Sequence, residues 1–207
     1  MEIKYYGANC LRLADKKVSI TINDELKKHG LKGVTKSNDI CIFTDTDNKE
    51  CAGRFIINGP GEYEIKGVSV IGFSADHDDT HGAIRGKTTT YRIEMDGLSI
   101  VHAGDLGVIP PTKDIESLGD VDILFVPVGG TFTLSPEDAA KFVGEVEPKI
   151  IIPMHYQRPG LKPEGFGELK PVADFLKAMG KEETVVQPKL VVTKDKLPAE
   201  TTVVVLE

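Results

Sequence analysis

Three apolar, β-branched segments of this 207-residue chain are each followed by a side chain that can bind a metal ion. These side chains are His77, Asp105 and His155. A group at the end of a buried strand is held rigidly at the rim of a sheet, where a binding site needs its ligands. Two imidazoles and one carboxylate form a donor set used by zinc, manganese and iron hydrolases. The pattern predicts a sheet-rich fold with a candidate metal site at its rim.

The composition is that of an ordinary soluble globular protein. Hydrophobic residues make up 40% and charged residues 28% of the chain, and its length predicts one domain over residues 1–207 with a sizeable core. No apolar run approaches the roughly 20 residues of a membrane span, so no membrane association is expected. The net charge of −7 disfavours nucleic acid as a partner, since phosphate binding needs a basic surface.

The cysteines and the N-terminus predict a cytoplasmic protein. The first residues contain no charged and then apolar leader, so no signal peptide is expected. Cys10, Cys41 and Cys51 form no Cys-x-x-Cys pair. Three cysteines without such spacing predict reduced thiols in a reducing compartment.

The first 150 residues read as strands and turns, and the last third alternates strand and helix. Apolar runs predict strands at 3–6, 10–13, 18–22, 39–44, 54–57, 63–65, 68–73, 88–95, 98–102, 121–128, 149–153, 190–193 and 202–206. Asp96-Gly97 is the strongest hairpin signal, and residues 24–38 read as a loop. Ser135 followed by Pro136 predicts the start of a helix. A second helix is expected at about 171–179. Sheets packed together and covered by helices follow from this order.

Several motifs appear in the order found in a known family. They are His77-Asp78-Asp79, the segment 82–90, the hairpin over Asp96-Gly97, and the segments 101–107, 122–130 and 150–156. With these motifs the chain resembles the metallo-β-lactamase superfamily over nearly its whole length. The branch it resembles is that of the small single-domain hydrolases similar to ascorbate-6-phosphate lactonase. The resemblance implies an α/β (α+β) fold, an αββα sandwich with a two-metal site at one edge between the sheets.

The central ligand motif of that family is degenerate in this chain. The motif His-x-His-x-Asp-His follows a strand that corresponds to residues 39–44, but residues 45–50 read Asp-Thr-Asp-Asn-Lys-Glu. Four of the seven family ligands are therefore replaced. The resemblance carries over His77, Asp105 and His155 only. The opening also departs, because Gly7-Ala8-Asn9 stands where relatives commonly have Gly-His-Ser.

Two interpretations of the depleted site stay open. In the first, one divalent metal (manganese, iron, magnesium or zinc) acts on a small lactone, ester or phosphate-bearing substrate. Its ligands would be His77, Asp105, His155, Asp45 and Asp47. In the second, the protein has no metal and is a catalytically inactive binding or assembly module. Lys49 would then supply, through a salt bridge to Asp105, the charge that a metal once gave.

The remaining histidines are expected to have supporting or surface positions. His102 alternates with apolar residues and is expected to support the site rather than bind metal. His81 lies in a polar loop, and His29 in a lysine-rich loop is expected at the surface. Homo-oligomers are expected from the resemblance, since similar proteins often self-associate.

Overall fold

The computed structural model describes residues 1–47, 50–160 and 168–207. Within these ranges, fifteen strands and three α-helices follow one another, together with two short 3₁₀ helices. The strands are β1 Glu2–Gly7, β2 Cys10–Ala14, β3 Ser19–Ile22, β4 Ile40–Phe43, β5 Phe55–Asn58, β6 Gly61–Ile65, β7 Val68–Asp76, β8 Lys87–Met95, β9 Leu98–His102, β10 Ile123–Pro127, β11 Ile150–Met154, β12 Val186–Gln187, β13 Leu190–Val191, β14 Thr202–Val203 and β15 Val205–Leu206. The helices are α1 Thr112–Glu116, α2 Pro136–Val146 and α3 Val172–Ala178, and the 3₁₀ segments are Leu26–His29 and Lys194–Lys196.

Two large sheets form the body of the protein. The first has the order β13-β1-β2-β3-β4-β5, and the second has the order β14-β11-β10-β9-β8-β7-β6. A separate pair joins β12 to β15. Helix α2 contacts β10 of the second sheet and also packs against α1 and α3. The predicted fold class is confirmed.

The core between the sheets is built from side chains of both. Ile20 and Ile40 of the first sheet and Ile100 and Ile123 of the second belong to one buried apolar cluster and are fully buried. Strands β10 and β11 are buried along their whole length, as expected for parallel strands covered on both faces. This burial fixes the register of the strands whose ends carry the candidate site.

Two local predictions rest on turn and cap chemistry, and both are confirmed. Asp96 and Gly97 both have positive φ, +55° and +74°, which is the backbone that a two-residue turn between β8 and β9 requires. At the start of α2, the Ser135 hydroxyl accepts a hydrogen bond of 3.0 Å from the Asp138 amide. Pro136 occupies the first helical position, where its missing N–H costs nothing.

The prediction for the cysteines was wrong for two of the three. Cys41 in β4 and Cys51 are joined by a disulfide, with their Cα atoms 6.5 Å apart, while Cys10 is a buried free thiol. The reason is tertiary: β5 returns to pair with β4 in parallel, so the connection brings Cys51 back beside Cys41. Sequence spacing alone does not contain this approach.

Other departures are local. The segment 24–38, predicted as a loop, contains the 3₁₀ helix Leu26–His29. The predicted strand 202–206 is divided at Val204, because β14 pairs with β11 while β15 pairs with β12. Helix α1 and strand β12 were not predicted, since both are too short to show a periodic pattern.

Candidate functional site

Asp105 lies just beyond β9, at the carboxyl edge of the parallel strands of the second sheet. Gly104 before it has a φ of +68°, and a Cβ at that position would lie 2.6 Å from the Thr88 hydroxyl and 2.7 Å from the Thr89 carbonyl oxygen. The Asp105 amide donates a hydrogen bond of 3.1 Å to the same Thr88 hydroxyl. The chain therefore turns tightly against β8, and this turn fixes where the Asp105 carboxylate points.

The Asp105 carboxylate is surrounded by polar groups of the protein itself. The side-chain amide of Asn9 donates a hydrogen bond to its Oδ1, and the Thr44 hydroxyl lies 3.5 Å from Oδ2. The Nε2 atom of His155 is 3.7 Å from Oδ1, which is an ion-pair distance rather than a hydrogen bond. Asn9, Asp105 and His155, here called the Asn9 cluster, thus meet at one point.

His155 is placed by the end of β11 and by the first sheet. Its φ is +52°, and its amide donates a hydrogen bond of 2.9 Å to the Ala8 carbonyl oxygen. Gly129 allows this approach, because a Cβ there would collide with the His155 carbonyl oxygen. Burial lowers the pKa of the His155 imidazole; the Asp105 carboxylate opposes that shift and the His77 ring adds to it. The ring is therefore held neutral near neutral pH.

His77 approaches the Asn9 cluster from the end of β7. The Gly107 amide donates a hydrogen bond of 3.0 Å to the Asp76 carbonyl oxygen, and a Cβ on Gly107 would collide with the His77 carbonyl oxygen. The Nε2 atom of His77 is buried and has no hydrogen-bond partner among the described residues. Its ring lines a cavity different from the one that Asp105 and His155 line.

The replacements predicted for the family ligands lie on an exposed turn. Asp45 and Asp47 are both exposed, and the Asp47 amide donates a hydrogen bond of 2.9 Å to the Asp45 carboxylate. The Asn58 side chain donates to the Thr46 carbonyl oxygen at 3.4 Å, which ties the turn to the end of β5. The predicted salt bridge of Lys49 lies outside the described residues.

Two histidines that are not in the predicted ligand set also stand at this rim. His102 is fully buried, and its Nδ1 accepts a hydrogen bond of 3.1 Å from the Gly104 amide. His29 was expected at the surface, but it is half-buried and lines a cavity of about 110 Å³ with Asn9, Asp105 and His155. The 3₁₀ helix that places it gave no signal in the sequence.

These residues do not fit a metal ion as they stand. Within the described ranges, no group of three or more histidine, cysteine, aspartate or glutamate side chains is arranged to hold one. One Asp105 oxygen already accepts the Asn9 amide hydrogen. Among the described residues, the buried Nε2 of His77 has no hydrogen-bond partner, as a ligand awaiting its ion would.

Comparison with known proteins gives the family. Residues 2–155 match the family model described as Beta-lactamase superfamily domain. The chain belongs to this superfamily. A protein of Thermotoga maritima described as a candidate zinc-dependent hydrolase of the metallo-beta-lactamase superfamily has a similar structure. Its TM-score is 0.77 at 29% identity, over 99% of this chain and 97% of that one.

Two curated relatives are described as metal-dependent hydrolases. The one from Thermococcus onnurineus is 40% identical over 101 residues, which is 46% of this chain and 44% of the relative. The one from Staphylococcus carnosus is 36% identical over 105 residues, which is 48% of this chain and 46% of the relative. The chain thus spans about half the length of the curated relatives it matches.

A more distant structure shares the fold alone. The isothiocyanate hydrolase from Delia radicum gut bacteria superposes with a TM-score of 0.63 at 14% identity, over 93% of this chain and all of that one, 100%. Among the described residues of our chain, no helix is long and apolar enough to cross a bilayer.

Proposed function

We propose that this protein binds a small molecule in the cleft that corresponds to the metal site of its family of metal-dependent hydrolases. It does so without a metal pair. The observation that carries the proposal is the hydrogen bond from the Asn9 side-chain amide to Asp105. In the family that the chain resembles, the matching carboxylate bridges two metals. Here the Asn9 side-chain amide donates its N–H to one oxygen of Asp105. An N–H group offers a hydrogen and no lone pair.

The charge of the Asp105 carboxylate is thus balanced by hydrogen bonds instead of cations. Its backbone amide, the Asn9 amide and the Thr44 hydroxyl hold the turn and the carboxylate in place. The neutral His155 ring beside it offers hydrogen-bonding capacity rather than charge. Such a cluster can orient a polar group of a bound molecule, but it offers no activated water of the kind that a metal supplies.

A hydrolase with a single metal is the second candidate, and one observation favours it. The Nε2 atom of His77 is buried without a partner among the described residues, as an imidazole ligand lacking its ion would be. His77, Asp105 and His155 would hold the ion, and it would supply a Lewis acid at the rim. Asp45 and Asp47 would have to leave their exposed turn to join them.

Metal content separates the two candidates. Protein purified without chelator is dialysed with and without manganese or zinc, and its bound metal is counted by elemental analysis. We expect no stoichiometric metal in either case. Stoichiometric metal that disappears in Asp105→Ala, but persists in a control Asp120→Ala at an exposed site, would overturn the metal-free proposal.

Turnover provides a second measurement. The wild type and Asp105→Asn are assayed on a panel of lactones, esters and phosphoesters, each with added manganese or zinc. We expect both proteins to show the same background rate. Hydrolysis by the wild type alone would establish an enzyme. The predicted self-association and cytoplasmic location stay predictions.

A further inference from the structure

A second, larger cavity is lined by His77 but by no residue of the Asn9 cluster. It has a volume of about 470 Å³ and is lined by the loop after β7 and by the segment 131–134 that precedes α2. His77, Arg85, Phe132 and Thr133 all line it. The resemblance assigned no role to the last three of these residues, and no predicted ligand other than His77 faces this space.

The loop that carries Arg85 is fixed by a single buried carboxylate. Asp78 is only 8% exposed, and it accepts hydrogen bonds from four backbone amides of its own loop. These donors are Thr80 at 2.9 Å, Gly82 at 2.9 Å, Ile84 at 3.1 Å and Arg85 at 2.7 Å. The negative charge of Asp78 is therefore used inside the loop, and the loop is pre-organised for binding.

The positive charge of Arg85 is directed elsewhere. Its guanidinium lies 4.4 Å from the centroid of the Phe132 ring, a cation–π contact that holds it against the cavity wall. Arg12 and Arg92 pair with carboxylates, whereas Arg85 has no acidic partner among the residues that the structure describes. A guanidinium held in place without an anion is suited to bind one.

Two residues that line this cavity have buried polar atoms without a hydrogen-bond partner in the described part of the chain. The Thr133 side chain is 8% exposed, and its hydroxyl makes no hydrogen bond within the described part of the chain. The same is true of Nε2 of His77. A buried polar atom left unpaired is costly, so such atoms mark a place where a ligand or water completes the bonding.

The acidic side chains at this cavity do not cancel the charge of Arg85. Asp138 is bonded to Lys141 at 2.7 Å and to the Ser135 hydroxyl at 2.8 Å. Asp79 is exposed, so water screens its charge. The cavity therefore offers the exposed cation of Arg85 and the buried Thr133 hydroxyl beside apolar surface from Phe132 and Leu134.

We propose that this cavity binds a small organic oxyanion, a carboxylate or a phosphate monoester with an apolar body, whose charge pairs with Arg85 and whose oxygen bonds to the Thr133 hydroxyl. The inference goes beyond the proposed function, because it places a ligand in a cavity other than the one that the Asn9 cluster lines, and it names the chemical class of that ligand. The apolar body would pack on Phe132 and the neighbouring apolar side chains.

Titration calorimetry with three probes tests the inference on the intact 207-residue chain. Benzoate and phenyl phosphate carry the two kinds of oxyanion, and benzyl alcohol has the same ring without charge. We expect one or both anions to bind and the alcohol not to bind. The anion that binds more tightly identifies the source of the oxyanion. Absence of binding by both anions would overturn the inference.

Variants locate the binding. Arg85→Ala is expected to weaken anion binding by about tenfold or more, as loss of a charged hydrogen bond predicts. Thr133→Val, which keeps the shape, should weaken it by a smaller factor. The matched control is Arg54→Ala, because Arg54 is also exposed and stacks on a phenylalanine, Phe55, at 5.7 Å. Equal affinities in wild type and Arg85→Ala, or equal losses in both arginine variants, would reject the site.

The two proposals can fail separately. Stoichiometric metal at Asp105 together with Arg85-dependent anion binding would remove the metal-free function and leave the anion site in place. A protein without metal that binds neither anion would remove the anion site and leave the Asn9 cluster as described. Elemental analysis tests the metal-free function, and calorimetry tests the anion site.

Discussion

The side-chain amide of Asn9 donates a hydrogen bond to the carboxylate of Asp105, across 96 residues of sequence. It joins the turn after β1 in the first sheet to the end of β9 in the second. Removing either partner leaves a partly buried polar group with one bond fewer, which costs about 1–3 kcal/mol. The contact therefore contributes to the stability of the rim as well as to its chemistry.

We predict that Asn9→Ala and Asp105→Ala are not additive. The sum of the two single-variant losses in the free energy of unfolding should exceed the loss in the double variant. The difference, which is the coupling energy, should be about 1 kcal/mol. Urea unfolding of the wild type, both single variants and the double variant measures this cycle. Additive losses would show that the amide and the carboxylate do not stabilise one another.

His102 predicts a dependence of stability on pH. Burial is the main cause that lowers the pKa of its imidazole to about 4, and the Asn9 carbonyl oxygen and the Asp105 carboxylate oppose that shift only in part. In the unfolded chain this imidazole titrates near pH 6.5. Below that pH, the unfolded chain therefore binds a proton that the folded chain does not bind. Stability should fall as the pH drops from about 6.5 to about 4, by about 3 kcal/mol from this group.

The variant His102→Gln isolates this contribution, because glutamine keeps hydrogen-bonding groups and does not titrate. Its unfolding free energy should fall less steeply over the same pH range than that of the wild type, although its stability at neutral pH is lower. An NMR titration of the His102 ring gives the pKa directly. A midpoint near the ordinary histidine value would contradict the argument.

Asp39 predicts a second loss of stability, at lower pH. Burial raises the pKa of this carboxyl, but bonds from Arg12, Ser19, the Lys36 amide and Thr21 outweigh burial and lower the pKa to about 2. Because the folded pKa lies below the unfolded one, the stabilisation is present above about pH 4. It should be lost as the pH falls to about 2, by about 2 kcal/mol.

Asp39→Asn removes that acid-sensitive step. It also leaves the largely buried Arg12 without its anion, so a loss of about 3 kcal/mol at neutral pH is expected. Asp120→Asn at an exposed position serves as the control and should leave both the stability and its pH profile unchanged. An Asp39→Asn protein that loses stability between pH 4 and pH 2 as steeply as the wild type would show that other carboxyls cause the transition.

The convergence of Asp105 and His155 could be predicted from the sequence, because strands β9, β10 and β11 are parallel neighbours. Their carboxyl ends share one edge of the second sheet, so groups that follow them meet there. The contact with Asn9 could not be predicted, since it depends on how closely the first sheet approaches that edge. The position of His29 was predicted wrongly, because the 3₁₀ helix that carries it has only four residues. A helix this short shows no periodic pattern in the sequence.

The disulfide is the feature where local sequence was least informative. Cys41 is buried in β4 and Cys51 stands 10 residues later, and only the parallel return of β5 brings the two together. In the loop-closure account, a bond across a connection of this length stabilises the folded state by about 3 kcal/mol. The enclosed connection includes the exposed turn of Asp45 and Asp47, whose position the bond therefore restrains.

We predict that Cys51→Ser lowers the free energy of unfolding by about 3 kcal/mol under oxidising conditions. A reducing agent should then lower the stability of the wild type to nearly the same value and leave the variant unchanged. Thiol titration of denatured, unreduced wild type should detect only Cys10, the cysteine outside the bond. Three reactive thiols would show that the pair is reduced in solution. The restraint on the turn would then come from the Asn58 bond to the Thr46 carbonyl oxygen rather than from a covalent link.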